Sequence, residues 1–209
     1  MEIYQTEEQQ VEAIKSFWQQ NGNAVIAGVV LGLGGFAAYG YYQDYTLTQQ
    51  VATADSYLNN VEQNGKNISQ FDKAGEQFIA KHGDSSYAVF TAFAIAKNAV
   101  AAKNWKQAEN ELNIAIAKAP NSGLKAIALV RLARVQIQQQ QYAQALASLA
   151  KPMPKSFTAT VEDIKGDVYR LQNKKQLALA AYQESINAGG LTTNPALQTK
   201  VDDLAEALN

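Results

Sequence analysis

The sequence predicts an all-α fold, in which a single N-terminal transmembrane helix is followed by a domain of repeated helical hairpins. A run of 19 residues, 24–42, carries no charged side chain. The composition suits helices, because the chain has only four prolines and almost no alternating runs of β-branched residues. From residue 95 onward, one spacing of small and large residues recurs three times. Together these observations favour one helix that crosses a bilayer and several that pack in pairs.

Charge and residue usage argue against nucleic-acid binding and against catalysis. The chain has 18 Lys and Arg against 19 Asp and Glu and no basic run, whereas a protein that neutralises phosphates needs clustered positive charge. Without cysteine there are no disulfides and no thiolate metal sites. The single histidine, His82, falls at a predicted helix end, where a positive charge is favourable. We expect no enzymatic activity, no cofactor and no metal site.

Residues 24–42 predict a membrane-spanning helix. At about 1.5 Å of rise per residue, their length approaches the ~30 Å thickness of the hydrocarbon core. Aromatic side chains at both ends, such as Trp18 and Tyr42, are typical of membrane interfaces. The alternatives are a buried core helix and a cleaved signal peptide, and the four glutamates of residues 1–23 disfavour the signal peptide. We therefore expect an N-terminal segment at 1–23, a transmembrane helix at 24–42 and a hairpin domain at 43–209.

The two flanks of the span give a weak orientation signal. Lys15 is the only basic residue before it, and the next basic residue after it is Lys66. The positive-inside rule then favours a cytoplasmic N-terminus by one charge. Residues 7–18 carry an apolar stripe, which predicts either an amphipathic helix at the membrane surface or the start of the same helix.

Three glycines within the span, Gly28, Gly32 and Gly35, share one face of the predicted helix. Small residues let two membrane helices approach closely, so this face predicts packing against another helix. The alternative is chance, because glycine is common in membrane helices.

A repeated spacing predicts the hairpins. A small residue is followed twelve positions later by alanine, and four positions after that by a large residue. The three sets are Ala96–Ala108–Leu112, Ala133–Ala145–Leu149 and Gly166–Ala178–Tyr182. Small residues let the two helices of a hairpin approach, and the large residue fills the space beside them. The predicted turns lie at 103–104, 138–141 and 173–174, and a generic helical bundle remains the alternative.

Each end of the array has its own signal. A degenerate first hairpin is predicted from a helix at 46–61, with Ala52, Leu58 and Val61 as its apolar stripe, and from a second helix carrying Ala74 and Phe78. After an Asn-Pro pair, an apolar stripe predicts a terminal helix that caps the array. The stripe comprises Leu197, Val201, Leu204 and Leu208.

These hairpins resemble the tetratricopeptide repeat (TPR), which has a period of about 34 residues. The residues that match the TPR pattern are Ile95, Ala96, Ala108, Leu112, Ala115 and Pro120. The later hairpins depart from it at Pro152, Lys165 and Ser185. The resemblance implies a TPR-like array with one regular unit and two or three degenerate ones.

The whole chain resembles the YfgM family, ancillary subunits of the bacterial SecYEG translocon. The resemblance is carried by the start MEIY, by VEAIKSFW, by the span GVVLGLGG and by LKAIALVRLARVQIQ. It implies an inner-membrane protein with a cytoplasmic N-terminus and a periplasmic TPR-like domain. It also implies association with SecYEG, with the membrane-anchored chaperone PpiD and with unfolded or newly translocated polypeptides. A general membrane-tethered scaffold for envelope assembly, unrelated to translocation, is the alternative.

The repeat register predicts a partner-binding face on the first helix of each hairpin. Apolar residues followed by a cation would suit extended polypeptide or the tail of a partner protein. The residues are Phe90, Phe93 and Lys97 in one unit and Ile127, Val130 and Arg134 in the next. The alternative is that several of them belong only to the core.

Overall fold

The computed structural model describes residues 7–206, which form α-helices joined by short turns and contain no β-strand. The helices are α1 (Glu7–Asn64), α2 (Ile68–Lys81), α3 (Ser86–Ala101), α4 (Trp105–Lys118), α5 (Ser122–Gln138), α6 (Tyr142–Leu149), α7 (Thr158–Leu171), α8 (Lys175–Asn187) and α9 (Leu197–Glu206). Two short 3-10 turns lie at Lys155–Phe157 and Gly190–Thr192. The all-α prediction is confirmed. By their internal contacts the residues divide into two units, Met1–Ala52 and Thr53–Asn209.

The first unit consists of helix α1 as far as Ala52. Its apolar side chains are exposed, with Leu31 at 76% and Phe36 at 79%. Water would solvate such a surface poorly, whereas lipid suits it. The predicted transmembrane helix is therefore confirmed by its length, its apolar surface and its place near the N-terminus. The segment 7–18 is the start of the same continuous helix, and the MEIY start lies outside the described residues.

The second unit contains the three predicted hairpins, which are α3 with α4, α5 with α6, and α7 with α8. All nine residues of the repeated spacing are buried. The three turns are confirmed as well, because each has one residue with positive φ. This residue lies five positions before the alanine of the repeated spacing on the unit's second helix. These residues are Lys103 (φ 58°), Gln140 (φ 61°) and Asn173 (φ 58°). The same backbone bend at the same register in each unit indicates that the repeat is real.

Two departures from the repeat pattern have local explanations. Where units one and two pair alanine with leucine, unit three pairs Gly166 with Tyr182, and a Cβ on Gly166 would clash with the Tyr182 ring. Ser185 replaces a small apolar residue, and it is fully buried. Its hydroxyl donates a hydrogen bond of 2.7 Å to the carbonyl oxygen of Ala159. This hydrogen bond offsets most of the free energy that it costs to remove the hydroxyl from water.

The predicted stripe of the degenerate first hairpin is wrong. Leu58 is 58% exposed and Val61 is 39% exposed, and Ala52 is exposed too. The face that packs instead carries Tyr57, whose ring centroid lies 6.1 Å from that of Phe78 and 5.2 Å from that of Tyr87.

The sequence did not indicate this packing face, because a single tyrosine, Tyr57, decides which side of the helix is buried. A large ring buries more area than a leucine, and the neighbouring helices supply rings to pack against it. The helix also continues without a break from α1, whereas a separate helix at 46–61 had been expected. Phe78 itself is buried on α2 as predicted.

The buried core of the second unit follows the array in three successive clusters. The first joins α2, α3, α4 and α5, the second joins α5, α6 and α7, and the third lies between α8 and α9. Each cluster covers the face that a single hairpin would leave open, as expected of stacked repeats. The terminal helix α9 buries Leu197, Val201 and Leu204, whereas Leu208 lies outside the described residues.

An ion-pair network attaches α9 to α7. The Lys200 ammonium lies 2.8 Å from Asp163 and 2.7 Å from Asp167. It also lies 5.0 Å from the ring centroid of Tyr182, and the Tyr182 hydroxyl donates to Asp167 at 2.7 Å. Burial alone would lower the pKa of Lys200, but the two carboxylates raise it above its ordinary value. The network therefore fixes the capping helix by charge as well as by apolar contact.

Replacing Lys200 with methionine is expected to loosen α9 selectively. The change keeps the length of the side chain but leaves Asp163 and Asp167 without their shared cation, at an expected cost of about 1 kcal/mol. Hydrogen exchange, followed by mass spectrometry on the full chain in detergent, should show faster exchange in α9. Lys125→Met, an exposed lysine on α5, is the control. Equal protection of α9 in both variants would contradict the role of the network.

Candidate interaction groove

An open groove of about 700 Å³ lies between α3 and α5, the first helices of two successive hairpins. Its apolar surface comes from both helices and from α4 behind them. The apolar residues are Phe93, Ala94, Ala96, Val100, Trp105, Leu112 and Val135. A concave apolar surface of this size is in the range of sites that hold a small ligand or a short segment of chain.

Three cations border this apolar surface, namely Lys97, Arg131 and Arg134. The Arg131 guanidinium carbon lies 4.3 Å from the centroid of the Phe93 ring, within the range of a cation–π contact. Burial, and after it the nearby charge of Arg134, lowers the pKa of Arg131 below its ordinary value. Among residues 7–206, no acidic side chain lines the groove and none of these cations is in an ion pair.

The structure brings together three of the six residues predicted for the partner-binding face. Phe93, Lys97 and Arg134 line the groove, but Phe93 is only 8% exposed and also belongs to the first core cluster. Phe90 lies outside it, 40% exposed and with its ring edge-on to Tyr87. Ile127 packs partly buried against the first core cluster.

The sixth predicted residue, Val130, is buried in the second core cluster. Val130 occupies the same position in its repeat as Phe93, but different side chains surround the two residues. Val161 and Ile164 of α7 share the cluster with Val130. Phe93, on the other hand, contacts the Arg131 guanidinium and lines the open groove between α3 and α5. A binding role for any of these residues stays a prediction.

Sequence reasoning missed Arg131 and Trp105 as residues of the groove. The signal for Arg131 was in the register, since it corresponds to Ala94 of the preceding unit, and both residues line the groove. Trp105 opens α4 directly after the turn with positive φ at Lys103. The spacing of small residues does not encode where its ring points.

The three glycines in the span face open space. A Cβ added to Gly28, Gly32 or Gly35 would have no neighbour within 4 Å. No described residue of the first unit, 7–52, packs against these three glycines, so this face is available to another helix. Helix packing at these glycines remains a prediction.

The fold and the groove define a class: a membrane-anchored array of helical hairpins with an open, cation-bordered surface, as in proteins that act by binding others. The chain belongs to the tetratricopeptide repeat-like domain family, whose model matches residues 15–206. The match includes the transmembrane helix as well as the hairpins.

Three curated relatives, each similar to this chain over nearly its whole length, share one name. A protein of Haemophilus influenzae named "Ancillary SecYEG translocon subunit" is 29% identical over 202 residues, covering 95% of this chain and 97% of the relative. An Escherichia coli protein of the same name is 29% identical over 209 residues, covering 98% and 100%. A third, from Neisseria gonorrhoeae, is 28% identical over 208 residues, also covering 98% and 100%. The resemblance inferred from the sequence motifs is confirmed.

A solved structure shares the fold. It is titled "MamA RS-1 ArsTM double mutant" and has a TM-score of 0.50 at 14% identity, covering 75% of this chain and 97% of the other. At this identity the similarity concerns the helical architecture alone.

Proposed function

We propose that this chain is an ancillary, non-catalytic subunit of the SecYEG translocon in the bacterial inner membrane. The observation that carries the proposal is the near full-length similarity to relatives of that name, which includes both the membrane helix and the hairpins. A repeat array provides a surface for binding, and its partners give it its role.

In the proposed topology, residues 1–23 are cytoplasmic, residues 24–42 cross the membrane, and residues 43–209 form a periplasmic domain. The lysine balance supports this direction, because Lys15 precedes the span and the first basic residue after it is Lys66. In that compartment the groove between α3 and α5 would meet PpiD and polypeptides that emerge from the channel. Its apolar surface and unpaired cations support binding of such chains.

The glycine strip of α1 is the proposed contact with a translocon helix. Helices in lipid have no hydrophobic force between them, so close backbone approach over small residues stabilises their association. Gly28, Gly32 and Gly35 offer such an approach on a single face.

Adding bulk to the glycine strip is expected to weaken the association. The triple variant Gly28→Ile, Gly32→Ile, Gly35→Ile should lower the SecYEG copurified with the full-length protein from mild detergent by about tenfold, equivalent to ~1.4 kcal/mol. Isoleucine keeps the span apolar, so insertion is preserved. The matched control places the same three isoleucines on the opposite face, at Val30, Leu33 and Ala37.

The outcomes of this experiment separate the two candidate functions. Loss of SecYEG in the glycine variant alone supports the translocon subunit. If the wild-type eluate contains other envelope complexes and no SecYEG, a general membrane-tethered scaffold is favoured instead. Photo-crosslinking from Phe93 in cells tests the direction, because capture of cytoplasmic proteins would contradict a periplasmic domain.

A further inference from the structure

Within residues 7–206 the cations of the groove have no anionic partner, and this sets the chemistry of its occupant. Lys97, Arg131 and Arg134 border one apolar surface, and among residues 7–206 none of them is in an ion pair. Two other cations of the same domain are in ion pairs, Lys165 with Glu162 and Lys200 with Asp163 and Asp167. Arginines held close to each other and partly out of water repel, unless an anion joins them.

The apolar surface sets the second requirement. Phe93, Val100 and Trp105 line the groove beside the cations, with Leu112 and Val135. Arg131 lies over the Phe93 ring at 4.3 Å, so a charged and an aromatic group share one point of the surface. An occupant that carries only carboxylates would leave the accessible apolar side chains, Val100 and Trp105, in water, and one that carries only hydrocarbon would bury the cations unpaired.

From this combination we infer that the groove binds a short acidic and apolar segment of a partner polypeptide, in which Asp or Glu alternates with Phe or Leu. The inference rests on the proposed function, in which the repeat domain binds polypeptide, and specifies which segments it selects. Arginine binds a carboxylate through two parallel hydrogen bonds, and Arg131 and Arg134 present two such groups from one helix. The volume of about 700 Å³ fits a few residues of the partner.

The positions of charge in the groove favour a polypeptide over a lipid. Lys97 follows Phe93 by one helical turn on α3, and Arg134 follows Arg131 by three residues on α5. Both helices therefore contribute charged and apolar side chains to the groove, which matches the mixed side chains of a peptide. A phospholipid separates its charge from its acyl chains, so the chains would lie against cations.

The test uses the full chain in dodecyl maltoside with Trp18→Phe. The sequence has two tryptophans, Trp18 and Trp105, so the fluorescence of this variant reports on the groove alone. Three peptides with blocked ends are titrated: Leu-Glu-Phe-Asp-Leu, its amide counterpart Leu-Gln-Phe-Asn-Leu, and Gly-Glu-Gly-Asp-Gly. Only the first is expected to bind well, with affinity at least tenfold above both others and falling as salt rises.

Variants of the cations locate the site. Lys97→Gln, Arg131→Gln and Arg134→Gln should each weaken binding of the acidic apolar peptide about tenfold, whereas Lys125→Gln on the same α5 should leave it unchanged. Lys97 and Arg134 are exposed, so their replacement preserves the fold even if loss of the Arg131–Phe93 contact does not. Thermal unfolding of each variant separates the two effects.

Two results would overturn the inference. One is equal binding of the acidic and amide peptides, or binding that is indifferent to all three cation variants. The other is a Trp105 response to phosphatidylglycerol added to the micelles, with none to the peptide, which would make the groove a lipid site. Association with SecYEG through the span is measured separately. Failure of peptide binding therefore does not decide whether the chain is a translocon subunit, and the reverse also holds.

Discussion

Replacing Glu111 with glutamine is expected to stabilise the repeat domain by on the order of 3 kcal/mol above pH 7 and to change little near pH 4.5. Glu111 lies on α4 and is 5% exposed, and its Oε2 has no hydrogen-bond partner among the described residues, 7–206. Burial, followed by the charges of Glu76 and Asp72, raises the pKa of Glu111 from 4.5 to about 7. Glutamine keeps the shape of the side chain and removes its charge.

The sign of the pH dependence follows from proton binding. Between pH 4.5 and about 7, the folded protein keeps the Glu111 proton that the unfolded chain has lost. The contribution of Glu111 to stability is therefore present below pH 4.5, declines as pH rises through about 7, and is absent above it. In the glutamine variant this decline should disappear.

Urea unfolding of the full chain in detergent, followed by Trp105 fluorescence in the Trp18→Phe background, measures the effect at pH 5 and pH 8. Glu109→Gln, on the same helix and half-buried, is the matched control and should change the free energy of unfolding by less than ~0.5 kcal/mol. If Glu111→Gln and Glu109→Gln behave alike at pH 8, the charge on Glu111 carries no penalty.

Exchanging the packing pair of the third hairpin is expected to show strong coupling between its two residues. Gly166→Ala alone should destabilise the domain by about 2 kcal/mol, because the added Cβ meets the ring of Tyr182 on the facing helix. Tyr182→Leu alone should cost about 3 kcal/mol, since it leaves a cavity and removes the hydrogen bond to Asp167.

The double variant recreates the alanine and leucine pair that units one and two use at the same register. It should therefore be more stable than the sum of the single changes predicts, with a coupling energy of about 2 kcal/mol. Thermal and urea unfolding of the four proteins give this value directly. Additive effects would mean that the two side chains do not compete for the same space.

The repeat was predictable from the sequence because close helix packing requires small residues at fixed places. The alanines at 96, 108, 133 and 145, with Gly166, mark those places, and every one is buried. The turns were predictable for the same reason, since their distance from each second alanine is constant.

The sequence was misleading where a single side chain, and not a stripe of several apolar ones, decided which face of the helix is buried. Leu58 and Val61 predicted the packing face of the first degenerate hairpin, but Tyr57 occupies it, against Phe78 and Tyr87. Glu111 was overlooked, although the sequence shows its position. Residues 108, 111, 112 and 115 lie on one face of the helix.

By itself the sequence determined the membrane helix, the helical class, the register of three hairpins and the family. These depend on local periodicity, which a chain displays along its length. Only the tertiary structure decided that the space between α3 and α5 stays open, whereas Val130 is buried with α7, and that Arg131 lies over Phe93. A groove depends on how side chains from separate helices share a volume, and spacing within one helix does not specify that sharing.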